Sequence, residues 1–373
     1  MSTLDSVLAT LEPIATDIAA QAGHVDQGHF PTAAIDALGK AGLLGLTIPV
    51  ANGGLGLGLD AASAVVERIA RACGSTAMVV CMHYAGAAVI ATHGNATTQR
   101  AIAEGRHLST LAFSEAGSRS HFWAPMSSAR PDGDNVVLDA AKSWITTASH
   151  ATAYVWSSRP AVDEGFSTIW LVPRTAAGLS VVAPYDGLGL RGNDSSPVRA
   201  EGVTIPAGNR LGPDGKGFDV MMGVVLPTFN VLSASVSLGL CNATVAGTAA
   251  HAAGTRHEQA GTSLADLPTI RASIARMKMR TDMLHTLLGD TLVALATGRA
   301  DGMLRVLEIK AAGGETALEV TAAGMRVCGG AAYRKELGVE RSFRDAQAAS
   351  VMGPTTDVLY DFIGKAVTGL PLF

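Results

Sequence analysis

From Val220 to Thr255 the chain carries no Asp, Glu, Lys or Arg. A run of that length must be hidden from water, in lipid or in protein, since roughly 20 apolar residues already span a bilayer. Pro227, Asn230, Ser233, Ser235, Ser237, Asn242 and Thr244 interrupt it, and lipid-facing helices seldom carry so many polar groups. The run is therefore expected to be an internal core helix, enclosed on all sides by other elements, and no membrane span is expected. Composition agrees: 16% of the 373 residues are charged and 48% are apolar, against roughly 25% charged in an average soluble protein. So little charge implies large cores or subunit interfaces and excludes disorder. The balance of 28 basic and 32 acidic side chains, net −4, with no Lys/Arg stripe, speaks against a nucleic-acid partner. Cys73, Cys81, Cys241 and Cys328 show no paired spacing. With no signal-peptide pattern at the N-terminus, a reducing, cytoplasmic setting is expected.

The length suggests two or three domains, and the texture changes twice. Residues 1–108 have helical spacing, as at Leu4, Val7, Leu8, Leu11 and Ile14, interrupted by a Pro/Gly loop at 46–58. Residues 109–212 hold short β-branched and aromatic runs, AYVWSS and STIWLVP among them, bounded by Gly, Pro, Asp and Asn, the signature of strands. From 213 to 373 the helical period returns. The expectation is an α+β multi-domain chain: an N-terminal helical domain, a middle β-barrel-like domain and a C-terminal helical bundle.

Five segments in this order resemble the acyl-CoA dehydrogenase superfamily. They are IPVANGGLGLG (48–58), LAFSEAGSRSH (111–121), KSWITTAS (142–149), GLGLRGNDSSPVRAEGVTIPAGNRLG (187–212) and CGGAAYRKELGVERSFRDA (328–346). The resemblance implies a flavoprotein whose C-terminal domain is a four-helix bundle, with FAD favoured over FMN as cofactor and a homotetramer or homodimer as the assembly. It implies that Trp144 packs on the flavin ring, that Thr146 lies near its N5, that Ser114 bonds its pyrimidine edge, and that Ser120 is the cofactor-binding serine closing the same loop. Gly329–Gly330 would admit a neighbouring subunit's pyrophosphate, with Arg326 standing where the family has Gln. Arg256 resembles a further cross-subunit contact, and Thr355 retains the threonine of the family's Tyr-Glu-Gly-Thr motif.

The departures matter as much. Dehydrogenating an acyl thioester requires a carboxylate to take the α-proton, and the family places that Glu where Gly353 stands here, followed by Pro354. The charge-free run offers no substitute, and Asp357 lies one helical turn on. Leu226 and Phe229 occupy the positions of an Asp…Arg pair that binds CoA in the family. These losses favour a flavin monooxygenase of the same fold, acting on a small aromatic or heteroaromatic molecule with O2 and a separate flavin reductase. His83 and His121 are the candidate proton-handling residues, with Thr146 beside the reacting centre. An acyl-CoA dehydrogenase with a displaced base is the alternative, and a non-redox flavin-binding scaffold a third. Met277, Met279 and Met283 read as packing residues, and Arg341, Arg344 and Asp345 as structural ion pairs. No residue cluster has metal-ligand spacing.

Overall fold

The computed structural model describes residues 3–118, 121–259 and 261–372. The helices α1 (Leu4–Val25), α2 (Thr32–Lys40), α3 (Leu59–Ala70), α4 (Gly74–His93) and α5 (Ala96–Ala103) come first. Strands follow as β1 (Ser109–Ala112), β2 (Ser128–Asp132), β3 (Asn135–Ile145), β4 (Ala153–Ser158), β5 (Thr168–Pro173), β6 (Leu179–Val181) and β7 (Ser196–Pro206). The chain then returns to helix with α6 (Gly217–Val220), α7 (Leu226–Gly254), α8 (Pro268–Thr297), α9 (Gly302–Cys328), α10 (Val339–Val351) and α11 (Thr356–Thr368). A small hairpin, β8 (Arg256–His257) with β9 (Thr262–Ser263), links α7 to α8. By packing, the described chain divides into two compact units. One holds residues 1–65, 78–187 and 191–229; the other holds 66–77, 188–190 and 230–373.

In the first unit the strands form two sheets, β1-β4-β5 and β2-β3-β7-β6. Their inward faces share one core, built on Leu138, Ile145, Tyr154, Trp156, Trp170, Val172 and Val198. Strands β2 and β7 had no counterpart among the expected strands. In β2 the sequence SARPD contains Pro131, which cannot donate to a ladder and so sits on an edge strand, here pairing with β3 alone. Helix α4 runs close against β1: a Cβ on Gly86 would lie 3.0 Å from Cβ of Ser109. Glycine at this position permits that approach.

In the second unit small residues set the helix spacing. Asn230 Nδ2 donates to the Val306 carbonyl at 3.0 Å, and a Cβ on Gly313 would meet Ala234 at 3.2 Å. Farther along, a Cβ on Gly324 would meet Thr244 at 2.5 Å and Thr248 at 3.0 Å. The contacts advance together on both helices, so α7 and α9 run parallel and their C-termini emerge at the same end. Helix α10 runs back along α9, with Val339 near Gly324 and Ala349 near Gly314. The charge-free run is helical from Val220 to Gly254, with one π-turn at Met221–Val225. Two helical segments, 74–93 and 217–254, are long and apolar enough to cross a membrane, yet 83% of each apolar window is buried inside the protein. Protein, as expected, supplies the apolar surroundings of the charge-free run.

Candidate functional site

The end of β3 carries the chemistry. Along this strand Val136 and Leu138 point into the core, and strict alternation would send Lys142 and Trp144 inward with them. Lys142 does point inward. A register shift between Lys142 and Ile145 then reverses the phase, as an extra residue in one strand does. Ile145 takes the core position and Trp144 turns out, 70% exposed. Its backbone is left-handed, φ 58°, as are Thr147 at 65° and Asp194 at 51°. Such angles are uncommon for non-glycine residues, and for a β-branched threonine they are a true outlier.

Hydrogen bonds hold this conformation. Thr147 N–H donates to the Asn193 carbonyl at 2.8 Å and Ala148 N–H to that of Asp194 at 3.1 Å. The Asp194 carboxylate accepts from Ser149 N–H at 2.6 Å and from the Ser196 hydroxyl at 2.7 Å. The Thr146 carbonyl is pinned by the Thr110 hydroxyl at 2.7 Å, and the Thr146 hydroxyl lies 3.0 Å from that of Ser195. Residues 144–149 and 193–196 are thereby one rigid platform, with an exposed indole and a pair of hydroxyls on it. Ser195 was absent from the sequence candidates, because nothing in its local pattern places it beside Thr146. Within the platform, Thr147 Oγ1 and Asn193 Oδ1 are buried without a hydrogen-bond partner among the described residues.

Beneath the platform lies a second omission. Lys142 Nζ, fully buried, donates to Glu115 Oε1 at 2.6 Å and to the Ser157 carbonyl at 2.7 Å. It also lies 5.0 Å from the Trp156 ring centre, a cation–π contact. Burial pulls the Lys142 ammonium down to about 8, with Glu115 opposing the shift. Burial is the largest single influence on Glu115 and raises it, but the Lys142 charge and the hydrogen bonds from Lys142, Ser127 and Met126 together hold the carboxyl below its usual range. Glu115 accepts in addition from the backbone N–H groups of Met126 and Ser127, which closes the loop between them. Ser114, half-buried, is fixed through its carbonyl by Ser143 N–H at 2.9 Å. The inward phase of Lys142 in an apolar strand was the available signal for this pair.

The two histidines differ in their surroundings. His83 is fully buried, with Nε2 2.9 Å from the Leu44 carbonyl and Nδ1 accepting from Ser109 N–H at 3.0 Å. Those partners fix the neutral tautomer carrying hydrogen on Nε2. Burial pushes the ring down to about 4. His83 is thus a strut tying α4 to β1 and the 43–45 turn, with both ring nitrogens engaged. His121 is exposed; its Nδ1 lies 3.2 Å from the Ser118 carbonyl and its ring meets Trp123 edge-on at 5.0 Å. Ser120 lies outside the described residues.

In the second unit, Arg326 is exposed one turn before Gly329–Gly330, and Arg256 is exposed on β8. Added Cβ atoms on Gly329 and Gly330 would meet nothing, and Gly329 has φ 55°. Because α7 and α9 end together, both arginines leave the helices at one end. Thr355 caps α11, its hydroxyl accepting from Val358 N–H at 3.5 Å. Lys310 is buried, donating to the carbonyls of Met352 at 2.9 Å and Pro354 at 2.8 Å. It therefore fixes the segment around Gly353 by its backbone. Met277 is in the core, whereas Met279 and Met283 face outward.

Comparison with known proteins agrees with these features. Family models of the acyl-CoA dehydrogenase N-terminal, middle and C-terminal domains match residues 7–105, 110–203 and 215–368. The mitochondrial short-chain specific acyl-CoA dehydrogenase of Bos taurus is 30% identical over 347 residues, 90% of this chain and 83% of that one. The chain belongs to the acyl-CoA dehydrogenase family. A probable acyl-CoA dehydrogenase of Bacillus subtilis, YngJ, is 27% identical over 351 residues, 92% of this chain and 91% of that protein. Butyryl-CoA dehydrogenase from Megasphaera elsdenii shares the fold with a TM-score of 0.91 at 21% identity, covering 99% of both chains. The family's enzymes are flavin oxidoreductases that use FAD, and the chain is accordingly an enzyme of that class. Its residues fit the cofactor. An apolar ring face stands exposed on a held backbone, hydroxyls lie two residues along, and a glycine pair stands open beside a guanidinium.

Proposed function

We propose that the chain is an FAD-dependent oxidoreductase that removes two electrons from an acyl thioester, the reading set second in the sequence. What carries it is the Trp144–Thr146 platform, together with relatives named as acyl-CoA dehydrogenases along nearly the whole chain. FAD when bound supplies the two-electron acceptor. Trp144 would cover one face of its ring, while Thr146 and Ser195 offer hydroxyls to the ring edge and Ser114 to the pyrimidine side. Arg326, Arg256 and the Gly329–Gly330 backbone would receive the pyrophosphate of a neighbouring copy, in a homodimer or homotetramer. The exposed Met279, Met283 and Val293 of α8 suit such an assembly.

Position 353 has no side chain, so the α-proton must leave to another group. The Asp357 carboxylate, exposed in the first turn of α11, is the nearest in sequence. Gly353, Leu226 and Phe229 together favour a second reading, O2-dependent hydroxylation with flavin reduced by a separate enzyme.

Anaerobic titration with a panel of acyl-CoAs separates the two. Bleaching of the oxidised flavin band is the expected result, and Gly353→Glu should speed it by restoring a carboxylate. No bleaching by any acyl-CoA, with O2-dependent hydroxylation driven by reduced flavin, would replace the first reading with the second. Trp144→Ala should weaken FAD binding by about tenfold, the scale of one aromatic contact. Its effect on folding stability should stay within about 0.5 kcal/mol, since the side chain is exposed. An unchanged FAD dissociation constant would remove Trp144 from the cofactor site.

A further inference from the structure

A cavity of about 180 Å³ lies within the second unit, walled by Arg71, Leu240, Gly338, Arg341, Ser342 and Asp345 among others. It is separate from every residue assigned above to flavin or substrate. One wall is the first turn of α10, whose N-cap is Gly338, with no side chain to accept from the turn. A helix start leaves its first N–H groups without intrahelical partners and carries a partial positive charge. Arg341 lies over this turn: a Cβ on Gly338 would stand 3.6 Å from its Nη2. Sequence reading placed Arg341 in an ion pair with its neighbours. Instead Glu340 pairs with Arg344 at 2.7 Å, and Arg341 makes no hydrogen bond or ion pair among the described residues.

Ser342 supplies the independent observation. It is about nine-tenths buried, lines the cavity, and its hydroxyl has no hydrogen-bond partner among the described residues. The hydroxyl is thus left to the cavity it lines. The second guanidinium, Arg71, is half-exposed at the rim and paired with Glu67 at 2.6 Å. Asp345 is the one acidic group in the wall, and it is engaged elsewhere. One of its oxygens accepts from Leu190 N–H at 2.6 Å, and the other packs against Gly74 at the start of α4.

We propose that this cavity binds a phosphate dianion, free or as the terminal group of a phosphate monoester. The Arg341 guanidinium, the Ser342 hydroxyl and the N–H groups of the first turn of α10 are its donors, with Arg71 closing the rim. A guanidinium, a hydroxyl and the N–H groups of a helix start are donors that phosphate oxygens commonly take.

The test is calorimetric titration of the FAD-loaded protein with inorganic phosphate and with AMP, in chloride buffer at fixed ionic strength. One saturable phosphate site per chain is expected. Arg341→Gln should weaken it by about 10- to 100-fold, the range for a charged hydrogen bond. Ser342→Ala should weaken it by roughly 3- to 10-fold, the range for a neutral one, and keeps the test open should the arginine variant misfold. Arg326→Ala, at the proposed flavin contact, should leave phosphate binding unchanged. AMP binding with the same dependence on Arg341 would identify a monoester ligand; phosphate binding alone would identify the free anion. Absence of a saturable phosphate site, or one untouched by both Arg341→Gln and Ser342→Ala, would overturn the proposal.

Discussion

Acidifying the protein from pH 7 to pH 5 is expected to lower its folding stability by about 4 kcal/mol, through two buried histidines. His83 and His107 are both pushed down to about 4, by burial first, with His83 adding to the shift at His107. Unfolded histidine titrates near pH 6.5. Between those values the unfolded chain takes up protons that the folded chain refuses, so stability falls as pH drops. The contribution is complete above about pH 6.5 and is lost progressively toward pH 4. Geometry gives the same sign. A second proton on His83 would sit on Nδ1, against the Ser109 N–H that now donates to it at 3.0 Å. His107 Nε2 lies 2.9 Å from the Ser109 hydroxyl, so the two rings share one buried residue. The measurement is urea unfolding at half-unit steps from pH 7 to 5. His83→Gln keeps a donor and an acceptor but cannot titrate, and it should reduce the loss to about 2 kcal/mol. A wild-type profile flat across this window would contradict the buried neutral histidines.

Replacing Lys142 with Met should destabilise the protein by about 3–5 kcal/mol, the usual cost of stranding one partner of a buried ion pair. The variant removes the charge opposite Glu115 and the donors to the Ser157 carbonyl and hydroxyl, while filling a similar volume. Glu115 would keep the Met126 and Ser127 N–H groups, too little to hold a buried carboxylate. Adding Glu115→Gln should recover a large part of the loss, because a neutral amide needs no counter-charge. That recovery distinguishes an unpaired charge from a simple packing defect. A single-variant loss below about 1 kcal/mol in urea would mean the carboxylate had found water or taken a proton. Since Glu115 anchors the loop that begins at Ser114, the single variant should also retain less FAD after gel filtration.

Much of the architecture is determined by local pattern. The helical period, the β-branched runs between residues 109 and 212, and the charge-free run each follow from nearest-neighbour chemistry. Alternation along β3 puts Val136, Leu138 and Lys142 on one face, and so marks the lysine as a buried charge needing a partner. The sequence motifs also announce the family and its flavin chemistry, and they reveal the glycine at position 353.

Other features depended on residues far apart in the chain. Trp144 shares the inward phase of Lys142, and only the register shift against β7 turns it outward; strand pairing is non-local, so no local pattern contains it. Ser195 meets Thr146 across 49 positions and Glu115 meets Lys142 across 27. In sequence His83 is a lone histidine on an apolar helix, open to a structural or a proton-handling role. It became a strut because Leu44 and Ser109, brought to it by packing, claim both ring nitrogens. Arg341, one cation in a charged stretch, has no ion pair among the described residues, and its neighbour Glu340 turns to Arg344. Which polar atoms satisfy one another, and which stay open for a ligand, is decided when the chain closes on itself, because hydrogen bonds act over about 3 Å whatever the separation in sequence.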